Sequence, residues 1–183
     1  MSAPAGPAPL VTRPVLHTAA AAGLCALWAA AVWTAVHLRA DPHLHDVALF
    51  VHLASLLVGF GAVLTVDWLG LLWLTGRREL PEVLRTAGAV HLPVWLGLAG
   101  LVGTGVLLHP DPGSPLTRVK LGLVLLVALN GLHARTLQPR MEAVAAGRTP
   151  ASRALTVRCA VTVLLSQLGW WGATVIGFLN SRR

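Results

Sequence analysis

The stretch DVALFVHLASLLVGFGAVLTVDWLGLLWL, residues 46–74, has only His52 and Asp67 as ionisable groups inside it. A run of about 20 apolar residues is long enough to cross the ~30 Å hydrocarbon core of a bilayer as a helix. Five such runs occur, at about 15–38, 47–75, 87–108, 117–134 and 155–179. Inside a bilayer every backbone N–H and C=O must be satisfied within the segment, which a helix does. The chain therefore reads as all-α: one integral membrane bundle of five transmembrane helices. The connections RADPHLHD, TGRRELPEVLRT, HPDPGSPLTR and ARTLQPRMEAVAAGRTPASR are polar and bear Pro or Gly. None is long enough to separate domains. The Ala- and Pro-rich residues 1–14 read as a disordered tail, and residues 15–183 as a single transmembrane domain. The first helix reads as an uncleaved anchor.

The charge supports this reading. A hydrophobic content of 55% against 11% charged residues excludes an ordinary soluble domain, and the net charge of +7 is spread over the connections. It forms no patch of the kind that binds nucleic acid. Arg13, Arg77, Arg78, Arg85, Arg135, Arg140, Arg148, Arg153 and Arg158 fall on one side of the expected bundle. Arg39, Arg118, Lys120, Arg182 and Arg183 fall on the other. The richer side is expected to be cytoplasmic. That places the N-terminus inside and the chain in the cytoplasmic (inner) membrane as a multi-pass protein, with a homo-oligomer compatible. Cys25 and Cys159 lie singly in apolar spans, so a disulfide framework is not expected. There is no phosphate-cradling Gly loop and no serine nucleophile elbow.

Polar groups at membrane depth cost energy unless they find a partner, so each one calls for an explanation. Eight histidines are present: His17, His37, His43, His45, His52, His91, His109 and His133. At 100° per residue His52 and Asp67 differ by about 60° and stand ~22 Å apart along one helix. Gly59 falls about 20° from His52, where a missing side chain leaves room beside a histidine ligand. His91 and His109 share a face at opposite ends of the third span, with Gly105 about 40° away. Two clusters are open. The outer one holds His52, His109 and in some arrangements His37, with Lys120 for charge. The inner one holds His91 and His133, with Asp67 in reach. Neutral imidazoles on facing helices suit haem iron, and haem propionates take a nearby Lys or Arg. Structural uses compete. His17, His37 and His109 sit at helix ends, where a histidine caps carbonyls or meets headgroups. His43 and His45 belong to a short solvated loop, and His91 precedes Pro93, whose kink frees a carbonyl. Asp67 is equally compatible with a neutral carboxyl bonded to a neighbouring helix. Gly97, Gly100 and Gly103 are expected to let the third helix approach a neighbour closely.

The order FVHLASLLVGFGAVL, WLGLAGLVGTGVLL, RVKLGLVLLVALNGLHAR, covering about residues 46–180, resembles the HemJ-type protoporphyrinogen oxidases and the CopD-like copper-resistance membrane proteins. The resemblance implies b-type haem, with His52 at the position of the essential histidine and Lys120 at that of the lysine in a KLxLVLL stretch. The chain departs from the HemJ pattern at Asp67, followed by WLGLLWL, and at SQLGWWGATVIG in the last helix. Two activities follow as expectations. In the first, a redox protein holds haem b through His52, His91, His109 or His133, with Gly59 and Gly105 giving room. Lys120 neutralises a carboxylate, Asp67 relays a proton, and a quinone or porphyrin exchanges electrons. In the second, a copper transporter uses DPHLHD as an outer collector and His52, Asp67 and His91 as a path. Copper(I) prefers soft ligands, and the chain has two Met and two Cys, which favours the first. A helical subunit without chemistry of its own is the third expectation.

Overall fold

The computed structural model describes residues 12–38 and 41–181, with no side chain described before Val15. It is all-helical over these residues. The helices are α1 (Thr12–His37), α2 (Pro42–Leu74), α3 (Leu80–Gly105), α4 (Pro115–Ala145) and α5 (Arg153–Asn180), with a short 3-10 turn at Val106–Leu108 after α3. All five are long and apolar enough to cross a membrane. The tail expected over 1–14 lies, up to residue 11, outside the described residues. Helix α1 already runs from Thr12.

The helices outrun their apolar spans, and capping explains where they start. Asp41 is extended and its carboxylate accepts the His43 N–H at 2.9 Å, with Pro42 opening α2. An Asp at the N-cap followed by Pro at the first helical position is a strong start signal. His43 and His45 therefore lie in the first turns of α2 and not in a loop. Ser152 likewise caps α5, accepting the Leu155 N–H at 3.2 Å. Helix α4 continues through the polar segment 135–145, past Pro139. Gly76 and Gly147, at φ +71° and +66°, end the turns after α2 and α4 in the left-handed region that glycine adopts without cost.

Two antiparallel pairs dominate: α2 on α3, and α4 on α5. Helix α1 lies against α3, α4 and the 3-10 turn. The α2–α3 crossing is close because two glycines meet. A Cβ on Gly97 would come within 2.7 Å of the Ser55 carbonyl and closer still to the Gly59 backbone. Gly100 is filled by Ser55, while Gly103 faces open space, so only two of the three expected glycines serve this approach. Phe60, Leu98, Val127, Ala128 and Trp170 form the core. The Trp170 ring stacks on Phe60 at 5.5 Å, joining α5 to α2. Asn130, buried on α4, donates to the Thr162 carbonyl on α5 at 2.8 Å. The outer surface is apolar, with Phe50 74%, Leu57 76% and Leu74 72% exposed, as lipid contact requires.

Candidate functional site

Ala35, His52, Gly105, Thr117 and Asn180 border one cavity of about 400 Å³, so contributions from all five helices meet at one end of the bundle. That volume lies in the range of small-molecule sites. Most of its wall is apolar, including Trp28, Leu101 and Val124. The polar groups on it are few. His52, His109 and Lys120, expected from the sequence as an outer cluster, all border this cavity, and so does Gly105. His37 is not on this wall; its Nδ1 pairs with the Trp33 carbonyl at 2.8 Å.

His52 is held by α3. Its Nδ1 is 2.8 Å from Thr104 Oγ1. Thr104 has one hydroxyl hydrogen, and it points to the Gly100 carbonyl at 2.6 Å. The Thr104 oxygen is thus left as an acceptor, and His52 Nδ1–H donates to it. In a neutral imidazole the other nitrogen, Nε2, then carries the lone pair. A histidine whose Nδ1–H is fixed by a neighbour while Nε2 is left basic is the arrangement found behind metal-ligating histidines. Gly105 lies beside the same ring: a Cβ there would be 3.7 Å from His52 Cε1.

Lys120 reaches across α4 toward α5, where a Cβ on Gly177 would be 3.4 Å from its Nζ. It makes no hydrogen bond or ion pair with the described residues, among which Arg78–Glu82 is a salt bridge at 3.5 Å. An ammonium on an apolar wall calls for an anion. Ser114, the residue before α4, has its hydroxyl buried without a partner on the same wall. Asp111 is also there, but its carboxylate is engaged by the Gly113 N–H at 2.9 Å. His109 ends the 3-10 turn at φ 47°, a left-handed conformation in which histidine is over-represented among non-glycines. Its ring stacks on His45 at 5.9 Å and 10°.

The residues of the inner cluster each have their own surroundings. His91 Nε2 accepts the Trp95 indole N–H at 3.0 Å, so its lone pair is engaged, and the bond replaces the expected link to backbone freed at Pro93. His133 is exposed in a separate groove between α4 and α5. Asp67 accepts from Gln167 Nε2, and Gln167 Oε1 accepts from Trp171 Nε1 at 3.1 Å. Asp67 is thus a polar tie between α2 and α5, away from the cavity. The room expected beside Gly59 is filled by Gly97 and Trp170. Among the described residues no group of three or more His, Cys, Asp or Glu is placed to hold a bare metal ion. Haem asks for only one or two protein ligands.

Thr104, Ser114 and Gln167 did not stand out in the sequence. Each becomes visible only when the register between two helices is known. No protein-family model, curated protein or solved structure matches the chain.

Proposed function

We propose that the chain is a redox protein of the cytoplasmic membrane that carries b-type haem in this cavity and exchanges electrons with a lipophilic partner, a quinone or a porphyrin-like substrate. The observation that carries the reading is His52, with Nδ1–H bonded to Thr104 and Nε2 basic at an apolar cavity. The residues present fit the group. One imidazole has its Nδ1 fixed by Thr104, one ammonium has no counter-ion among the described residues, Gly105 leaves the ring uncrowded, and a buried hydroxyl has no partner among them. His52 and Lys120 are also the two positions that the resemblance to HemJ-type proteins singles out, and both border the one cavity.

When bound, the haem supplies a one-electron couple whose potential depends on its axial ligands and on burial. The protein's contribution is positional and electrostatic. With haem bound, His52 Nε2 would be the iron ligand, with Thr104 holding the ring in place. Lys120 would neutralise a propionate, and the apolar wall would limit water. His109, on the same wall, is the second candidate ligand. The inner-side excess of arginines supports an N-terminus in the cytoplasm. Asp67 has no step here because it does not border the cavity.

A second reading, copper passage, has one observation in its favour, the stacked His45–His109 pair beside the cavity. Among the described residues no Cys or Met lines that cavity to receive copper(I). The test is haem and metal content of the purified chain beside His52→Ala and His91→Ala. Haem lost in the first variant and kept in the second is expected. Haem kept in both, or stoichiometric copper without haem, overturns the reading.

A further inference from the structure

His133 lies in a groove separate from the cavity. The groove lies between α4 and α5, has a volume of about 380 Å³, and opens on the outer, apolar face of the bundle. The Asn130–Thr162 hydrogen bond sets the register of the two antiparallel helices. Counting from it toward the α4–α5 connection, His133 is three residues along α4 and Arg158 four along α5. At 1.5 Å per residue both stand about 5–6 Å nearer that end. In the opposite direction lie Leu126 and Leu165, with Leu129 and Val161 between. The groove thus has a cationic end and an apolar floor.

Arg158 has no hydrogen bond or ion pair with the described residues, and none of them that borders the groove is Asp or Glu. It is set one and a half turns inside the start of α5 at Arg153, on a helix long and apolar enough to span a membrane. A guanidinium at that depth is costly unless it meets an anion or reaches the headgroup layer. Its planar donor fork matches a phosphate better than an ammonium does. In a bilayer the surface outside such a groove is lipid.

We propose that this groove binds an anionic phospholipid of the surrounding leaflet. Its phosphate is held by Arg158 and approached by His133, and an acyl chain lies along Leu129, Val161 and Leu165. The site is independent of the haem reading, since neither residue borders the other cavity.

The full-length protein is reconstituted into bilayers of equal parts phosphatidylglycerol and phosphatidylcholine, and the lipids retained on release are counted by native mass spectrometry. Wild type is expected to retain phosphatidylglycerol in preference. Arg158→Gln should lower that retention about tenfold, the scale of one hydrogen bond to a charged group. Arg153→Gln removes the same charge at the exposed helix start and should leave retention unchanged. Should Arg158→Gln fail to fold, Arg158→Lys keeps the charge but loses the fork, and its retention should fall between the two. Equal retention of both lipids by wild type overturns the proposal. So does equal loss in the Arg153 and Arg158 variants, which reports only surface charge.

Discussion

Adding one methyl group at Gly97 should do more damage than adding one at Gly103, although both sit on the same helix. In Gly97→Ala the new Cβ would stand 2.7 Å from the Ser55 carbonyl and closer to the Gly59 backbone, where ordinary contact is 3.4–4 Å. The obstruction is main chain on both sides, so no side chain can swing away. Helices α2 and α3 must move apart by about 1 Å, and such a gap forfeits up to half of each dispersion contact across it. Overpacking of a fitted interface costs roughly 1–3 kcal/mol, and about 2 kcal/mol is expected here. A Cβ on Gly103 meets nothing within 4 Å. Gly103→Ala should therefore be neutral or stabilising by about 0.5–1 kcal/mol, since Ala is the better helix former. The assay is unfolding in mixed dodecyl sulfate and maltoside micelles, followed by circular dichroism. A Gly97→Ala variant within about 0.5 kcal/mol of Gly103→Ala would refute the close crossing, given that distinct sites differ reproducibly on that scale. The crossing also sets the 2.8 Å bond from His52 to Thr104. Separating the helices should break it, so Gly97→Ala should weaken cofactor retention as well as stability.

Other expectations follow from the same contacts. Thr104→Val keeps the shape but removes the acceptor from His52 Nδ1, and haem affinity should fall about 10–100-fold in a haem titration. Lys120→Met should release haem faster in a transfer assay to an apo-globin, with the helix content unchanged. Gln167→Leu leaves the Asp67 carboxyl without its donor and should destabilise by about 1–3 kcal/mol. Asp67→Leu combined with Gln167→Leu should recover most of that loss, and additive losses in the pair would refute the tie.

Hydropathy located all five helices because it reports where lipid meets the chain. It did not locate their ends, because a helix stops at a cap and not at a headgroup. The turn DPHLHD reads as a loop by polarity, yet Asp41 and Pro42 make it the start of α2. Polar residues 135–145 likewise continue α4, through Pro139, and the chain turns only at Gly147. Helical periodicity put His52 and Gly59 on one face, but it could not say that Gly97 and Trp170 occupy that face at Gly59. His52, His109 and Lys120 could be grouped on the outer side, with His37 wrongly beside them, because counting from each span's end gives depth in the bilayer but not which way a side chain turns. The surroundings of the inner residues are something counting cannot supply. His91 turns to its own helix neighbour Trp95, and His133 faces outward beside Arg158.

The most direct test of a haem in the cavity is the visible absorption of the full-length protein purified from membranes, before and after dithionite. A Soret band that shifts and sharpens on reduction in wild type, and is absent from His52→Ala of equal helix content, is the expected result. A colourless wild-type protein, or a band of unchanged position and intensity in His52→Ala, would contradict it.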